Sequence, residues 1–390
     1  LTEDPNDNKS RLVSLRTGLG KGITSLSSVS KLKTRVIVVI LPSYIEKWCK
    51  EINEVLDVKE KEIMPVQGTG QLKGLIELAK NGDISAKFIV ISLSTIKNFF
   101  KTYETYGKNY TIDEYGCSPE DLCELTGTGA MIIDEVHQHL HGVYKLLVYT
   151  HVPKVIALSA TFISDDATIS NIQKLMFPKE IRFDKIVAEN YIKVRAISFN
   201  FDRKILPLIK TTQFKSNTYS HVEVEKSILR YKVTLSNYFN LINRIVQIGY
   251  LDNYQKGDKL AIFAASINMC TEITKYLKEK YKQFDIRRYV EDDPYENVID
   301  PDIRVSTILS AGCAIDIPNL RTVIMTTSIS STVANIQTMG RLRKLKDRDV
   351  YFYYLYSENI PKQVEYHKRK LDLLRDRVAS IKIFSSGMIV

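Results

Sequence analysis

Short aliphatic, β-branched runs alternate along this chain with amphipathic helical stretches, and that alternation narrows the fold more than any other feature. Arg35–Leu41 (RVIVVIL), Lys87–Leu93 (KFIVISL), Ala130–Ile133 and Lys154–Leu158 read as buried strands of one unit. Leu260–Ala264 (LAIFA), Arg304–Ile308, Thr322–Thr326 and Asp349–Leu355 (DVYFYYL) repeat the pattern in a second. Strands apolar on both faces belong in parallel sheets covered by helices. The expected class is α/β, with two domains that each carry a parallel central sheet. Residues 181–220 alternate poorly and hold the expected junction, giving domains over 1–190 and 191–390, the second opening with a connecting segment over about 191–221. Helical periodicity resumes over Val222–Leu251, and a basic helix over about Pro361–Ile381 is expected to close the chain. Residues 101–129, with several Tyr and Gly, read as a surface loop inserted before an acidic strand. The alternative for that segment is an aromatic grip on nucleic acid.

The 390 residues give two domains room for a core each. With 55 basic against 45 acidic residues the net charge is +10, which favours a polyanionic partner through counterion release. No window approaches ~18 uncharged apolar residues, so no membrane span is expected. Leu1 opens without a signal-like apolar core, and the chain is expected to be a piece of a longer one. Cys49, Cys117, Cys123, Cys270 and Cys313 show no paired spacing, which suits a reducing, intracellular (cytoplasmic) setting.

Two motifs carry chemistry. Arg11–Leu15 reads as a strand followed by Thr17-Gly18-Leu19-Gly20-Lys21-Gly22 and a helix beginning near Ile23. A glycine-rich turn between strand and helix lets backbone N–H groups close on phosphate oxygens at the positive helix end, with Lys21 reaching the β/γ-phosphates. A plain glycine turn beside a lysine is the other reading. Phosphate loops normally follow their lysine with a Ser or Thr that ligates Mg²⁺. Here Gly22 stands in that place, and Thr24 and Ser25 lie further on. Either water completes the metal shell or hydrolysis is weakened.

The second motif is Met131-Ile132-Ile133 running into Asp134-Glu135-Val136-His137. Carboxylates at the carboxyl end of a buried strand sit where open α/β sheets hold ligands. Asp134 can anchor Mg²⁺ and Glu135 can orient and deprotonate a water; a solvated acidic start to a helix is the bland alternative. The HxHxH run of His137, His139 and His141 is assigned no metal role, because hard Mg²⁺ prefers oxygen.

Ser159-Ala160-Thr161 follows in VIALSATF. In order, TGLGKG, VIVVILPSYIEKW, ISLSTIKNF, IIDEVH, LSATF, LAIFAASINMC, VSTILSAGCAIDIPNL and QTMGRLRK resemble the motif series of superfamily 2 (DExH-box) helicases, over about residues 12 to 350. The compact core is similar to phage-encoded helicases that remodel branched DNA. The resemblance implies two tandem RecA-like domains with an interdomain ATP cleft, working as an ATP-driven, monomeric motor with Mg²⁺. Nucleic acid is the implied partner, DNA (branched or single-stranded) before RNA. An RNA helicase, a restriction-system motor and a nucleotide-regulated binding module with weak ATPase remain the alternatives.

Residue roles follow from the same resemblance. Thr17, Gly18, Leu19, Gly20, Lys21, Gly22 and Ile23 would bind nucleotide; Asp134 and Glu135 would handle Mg²⁺ and water. His137, Ser159 and Thr161 would couple nucleotide state to domain movement. Asp316, Gln337, Gly340, Arg341 and Lys344 would face the nucleotide from the second domain, with Arg341 as the arginine finger. Lys344 stands where the family usually has a second arginine, with Arg343 one place earlier, and Ala314 replaces a usual glycine. Pro42, Ser43, Ser94, Thr95, Ser266 and Ser310 would contact nucleic-acid phosphates, or serve only as helix caps.

Overall fold

In the computed structural model the chain forms two compact units, Leu1–Val187 and Ala188–Val390. It describes residues 10–15, 20–137, 139–159, 166–183, 190–213, 216–290, 293–294, 296–308 and 317–390. The expectations for Thr17, Gly18, Leu19, Thr161, Ser310 and Asp316 lie outside the described residues.

The first unit runs β1 (Ser10–Ser14), α1 (Lys21–Ser30), β2 (Arg35–Ile40), α2 (Ile45–Leu56), β3 (Ile63–Val66), α3 (Thr69–Asn81), β4 (Phe88–Ser92) and α4 (Leu93–Tyr115). It continues through α5 (Leu122–Leu125), β5 (Thr128–Ile133), α6 (Leu140–Tyr149), β6 (Lys154–Ser159), α7 (Ala167–Met176) and β7 (Arg182–Phe183). The strands form one seven-stranded sheet in the order β3-β4-β2-β5-β6-β1-β7, parallel at every pairing. Helices bury both faces, so β2 and β4 read as unbroken apolar runs: Val36 to Ile40 and Phe88 to Ile91 are all buried.

The second unit runs β8 (Ile192–Asn200), α8 (His221–Arg230), α9 (Lys232–Val246), β9 (Lys259–Ala264), α10 (Ile267–Lys280), β10 (Ile286–Tyr289) and α11 (Glu296–Ile299). It then adds β11 (Ile303–Thr307), β12 (Leu320–Met325), α12 (Thr332–Met339), β13 (Val350–Ser357), α13 (Pro361–Leu374) and β14 (Ser380–Ile389). These strands make a second seven-stranded sheet, β10-β11-β9-β12-β13-β8-β14, again parallel throughout.

Three sequence expectations are corrected. Part of the stretch read as poorly alternating is β8, which lies between β13 and β14; its side chains alternate buried and half-buried along Ile192–Ile197. The closing helix ends at Leu374, and the chain returns as β14 to pair with β8. Residues 101–115 are not a loop but the continuation of α4, kinked at Gly107, whose φ of 85° only glycine adopts easily. On both sides of the kink the helix is pinned from the side. Tyr103 donates to Glu120 at 2.8 Å, Lys108 pairs with Glu120 at 2.9 Å, and the Phe99 and Tyr115 rings lie 4.8 Å apart. Of the tyrosines that suggested a loop, Tyr115 is buried and Tyr103 half-buried on this helix, while Tyr106 and Tyr110 are exposed with their rings 4.7 Å apart.

Candidate active site

The order β5-β6-β1 brings three strand ends together at the carboxyl edge of the first sheet. Ser14 is level with Ser159, and Ile133 with Ala157. The Asp134-Glu135 pair, Ser159 and the Gly20-Lys21 turn therefore share one rim, where parallel sheets hold ligands.

Gly20 has φ 72°, a left-handed conformation that starts α1 directly at Lys21, two residues before the expected point. Among the described residues, nothing lies within 4 Å of where a β-carbon on Gly20 would sit. Lys21 Nζ donates to the Leu15 carbonyl at 3.2 Å, folding back along the turn. Ile23 points outward and is exposed. Ser25, the nearest buried hydroxyl after the lysine, donates to Gly22 O at 2.8 Å and serves its own helix.

Asp134 continues the β5 pairing, its amide donating to Val39 O at 3.0 Å. Its Oδ2 accepts from Trp48 Nε1 at 3.0 Å and its Oδ1 from the Glu135 amide at 2.9 Å. Burial, then the Glu135 charge, hold the Asp134 carboxyl above the usual range, while Lys21 and the two hydrogen bonds pull it back. Glu135 is buried and has φ 49°, left-handed for a residue with a β-carbon. Such strain is costly and collects at functional positions.

His137 Nδ1 lies 2.9 Å from Ser159 Oγ and 3.3 Å from Glu135 Oε2. Burial, then Lys21, push this imidazole down to about 4, so it is neutral at pH 7. One ring nitrogen therefore bonds a hydroxyl and lies close to the carboxylate expected to act on water. Among the described residues no three His, Cys, Asp or Glu side chains gather as a metal site. A magnesium site needs less, because that ion is typically held by one or two carboxylates, waters and substrate phosphates.

In the second unit Gln337 is half-buried on α12, Gly340 follows the helix, and Arg341 is buried. Arg341 lies close enough to the buried Arg304 to add to the burial that pushes Arg304 down to about 9. Arg343 donates to the Gly340 carbonyl, and Lys344 is exposed.

The candidate nucleic-acid residues separate. Pro42 and Ser94 line a shallow groove in the first unit with Lys97, Asn98 and His139; Ser43 is exposed in a short 3-10 turn over Pro42–Tyr44. Thr95 instead faces inward, its Oγ1 accepting from the Gly68 amide at 2.7 Å and sharing a 2.6 Å hydrogen bond with Ser92. Ser266 caps α10, and its hydroxyl donates to Glu225 at 2.6 Å; the Ser266 and Ala265 amides donate to the same buried carboxylate at 2.8 and 2.7 Å. Burial raises Glu225 to about 7 against those donors.

Residues 2–164 match the family model of the type III restriction enzyme res subunit. A comparison with curated proteins finds no match. Among solved structures, the Pyrococcus furiosus Hef helicase domain aligns with a TM-score of 0.52 at 12% identity, covering 92% of this chain and 94% of that one. S. cerevisiae Dbp5 bound to RNA and ADP BeF3 aligns at 0.57 and 10% identity, covering 98% and 87%. A Dbp5 variant bound to a Gle1 variant and IP6 aligns at 0.59 and 11%, covering 98% and 86%. The fold is that of tandem RecA-like helicase domains.

The motif reading gave no role to Trp48 and Lys97, although both stand inside its strings, nor to Glu51 and Glu225, and the fold places all four beside candidate residues. Lys97 was open to view, four residues after the strand in ISLSTIKN, and its charge beside Ser94 was the available signal. Trp48 and Glu51 lie on α2, and their relation to the phosphate turn exists only once the sheet is folded. No helix among the described residues is long and apolar enough to cross a membrane.

Proposed function

We propose that this chain is an ATP-dependent superfamily 2 helicase or translocase acting on nucleic acid, with DNA, single-stranded or branched, as the favoured substrate. The observation that carries the reading is the shared rim of β5, β6 and β1, where His137 hydrogen-bonds Ser159 and lies 3.3 Å from Glu135 beside Lys21. In the proposed reaction the Gly20-Lys21 turn holds the triphosphate, and Lys21 swings from Leu15 O to its β/γ oxygens. Glu135 orients the attacking water and takes its proton. A change at the γ-phosphate alters the Glu135–His137 contact, and His137 passes it to Ser159 at the end of β6. The oxygen donors fit a hard cation, and Asp134 would hold Mg²⁺, which when bound neutralises charge on the phosphates. The motif resemblance makes Arg341 and Gln337 candidates for the γ-phosphate, and Pro42, Ser94 and Lys97 are proposed to meet the phosphates of the strand.

A second reading, a restriction-system motor that translocates without separating strands, is favoured by the family-model match over residues 2–164. Phosphate release measured with no nucleic acid, single-stranded DNA, branched DNA and RNA tests the motor reading. Stimulation by DNA is expected, and strand displacement divides helicase from translocase. Glu135→Gln and Arg341→Ala are each expected to cut turnover by ~10³ or more while nucleic-acid binding persists. Absence of stimulated release would leave only a nucleotide-regulated binding module.

A further inference from the structure

The phosphate turn lacks one group that its chemistry needs. In phosphate-loop enzymes the residue after the lysine supplies a hydroxyl to Mg²⁺, partnered by an acidic residue at a neighbouring strand end. Gly22 has no hydroxyl, and that of Ser25 is committed to the Gly22 carbonyl.

The space beside Gly22 is nevertheless filled. A β-carbon built there would overlap Glu51 Oε1 and crowd the rest of that carboxylate. Glu51 lies on α2, is half-buried, and has no hydrogen-bond or ion-pair partner among the described residues. Its nearest charges are Lys47, one turn back, and the carboxylates of Asp134 and Glu54. Trp48, three residues earlier and so on the same helical face, is the indole that donates to Asp134. One face of α2 thus delivers a donor to the acid expected to hold the metal, and a bare carboxylate to the place of the missing hydroxyl. A cation bound between Glu51 and Asp134 would give both carboxylates a charged partner.

We propose that Glu51 replaces the absent phosphate-loop hydroxyl as a Mg²⁺ ligand, its carboxylate using the space that Gly22 opens and joining Asp134 around the metal of the metal–nucleotide complex. The inference rests on the ATP-dependent reading above. It makes Gly22 and Glu51 a reciprocal pair: in its observed rotamer the carboxylate occupies the space a β-carbon at residue 22 would need, so a side chain there turns the carboxylate away.

The test uses the full chain, a fluorescent ATP analogue and Mn²⁺ as a paramagnetic substitute. Nucleotide affinity is measured in EDTA, and Mn²⁺ affinity of the nucleotide-bound protein from the free-ion resonance signal. Glu51→Gln should weaken Mn²⁺ binding by ~10–100-fold, the loss typical when groups around a metal are removed. Metal-free nucleotide binding should stay equal or tighten, because a negative charge near the phosphates is gone. A purely structural role would lower both or neither. Gly22→Thr alone should disrupt the site, and Gly22→Thr with Glu51→Ala should recover most of the Mn²⁺ affinity. Should Glu51→Gln fold poorly, the double variant carries the test by itself, and failure to recover affinity overturns the proposal. Normal nucleotide binding with unchanged Mn²⁺ affinity in Glu51→Gln sinks the assignment but leaves the ATPase reading intact. A wild-type chain that binds no nucleotide, with or without metal, overturns both.

Discussion

Trp48→Phe isolates one hydrogen bond at the site. The indole is buried, and its Nε1–H is directed at Asp134 Oδ2 at 3.0 Å. Phenylalanine keeps an aromatic ring on α2 but removes the donor. A hydrogen bond to a charged acceptor contributes ~1.5–3 kcal/mol. At ~1.4 kcal/mol per factor of ten, expressing that loss wholly in the metal-bound, reacting state slows turnover about 10–100-fold. The pH profile gives an independent sign. Burial and Glu135 raise the Asp134 carboxyl, and the Trp48 bond opposes them. Removing that bond raises the group further, so the acidic limb of kcat, where Asp134 takes up a proton, moves to higher pH. Steady-state phosphate release between about pH 5 and 9, with circular dichroism as the folding control, reads both effects. A variant with kcat within threefold of wild type and an unmoved acidic limb would refute the claim that Trp48 positions Asp134.

Two further outcomes are expected. Lys97→Ala, beside Pro42 and Ser94, should weaken DNA binding and lower the salt-dependence slope by about one phosphate contact without altering nucleic-acid-free turnover; an unchanged slope moves the strand elsewhere. Lys370 is buried over the Tyr354 ring at 4.4 Å and pushed down to about 7 by burial. Its folded value lies below its unfolded one, so the unfolded chain binds more protons between about pH 7 and 10 and stability rises with pH across that window. Lys370→Met should remove that slope and raise stability at pH 7 by ~1–4 kcal/mol, read from urea midpoints; a midpoint no higher than wild type would contradict the account.

Much of this fold was legible because parallel strands buried on both faces leave unbroken runs such as RVIVVI and KFIVIS. The place of Asp134 was legible for a related reason, since it continues the pairing of β5, whereas the left-handed turn at Glu135 left no local signal. What escaped depends on partners far apart in the chain. Trp48 reaches Asp134 across 86 residues and Glu225 reaches Ser266 across 41, and neither spacing belongs to a local pattern. β8 escaped because its Lys193 and Arg195 interrupt an apolar pattern that only β13 and β14 make sense of. Thr95 was placed toward nucleic acid because a hydroxyl after a strand resembles a phosphate contact, but its side chain turns inward to Gly68 and Ser92.

The left-handed backbone at Glu135 sets the working chain against its own durability. A residue with a β-carbon held there costs ~1–2 kcal/mol, whereas glycine adopts the same angles freely and loses only ~0.5–1 kcal/mol through its looser unfolded chain. Glu135→Gly should therefore give a protein that hydrolyses nothing and melts no earlier, and even slightly later, than the wild type. Selection for thermal robustness alone would erase the acid; under the ATP-dependent reading proposed above, a demand for turnover is what keeps the chain bent at this point.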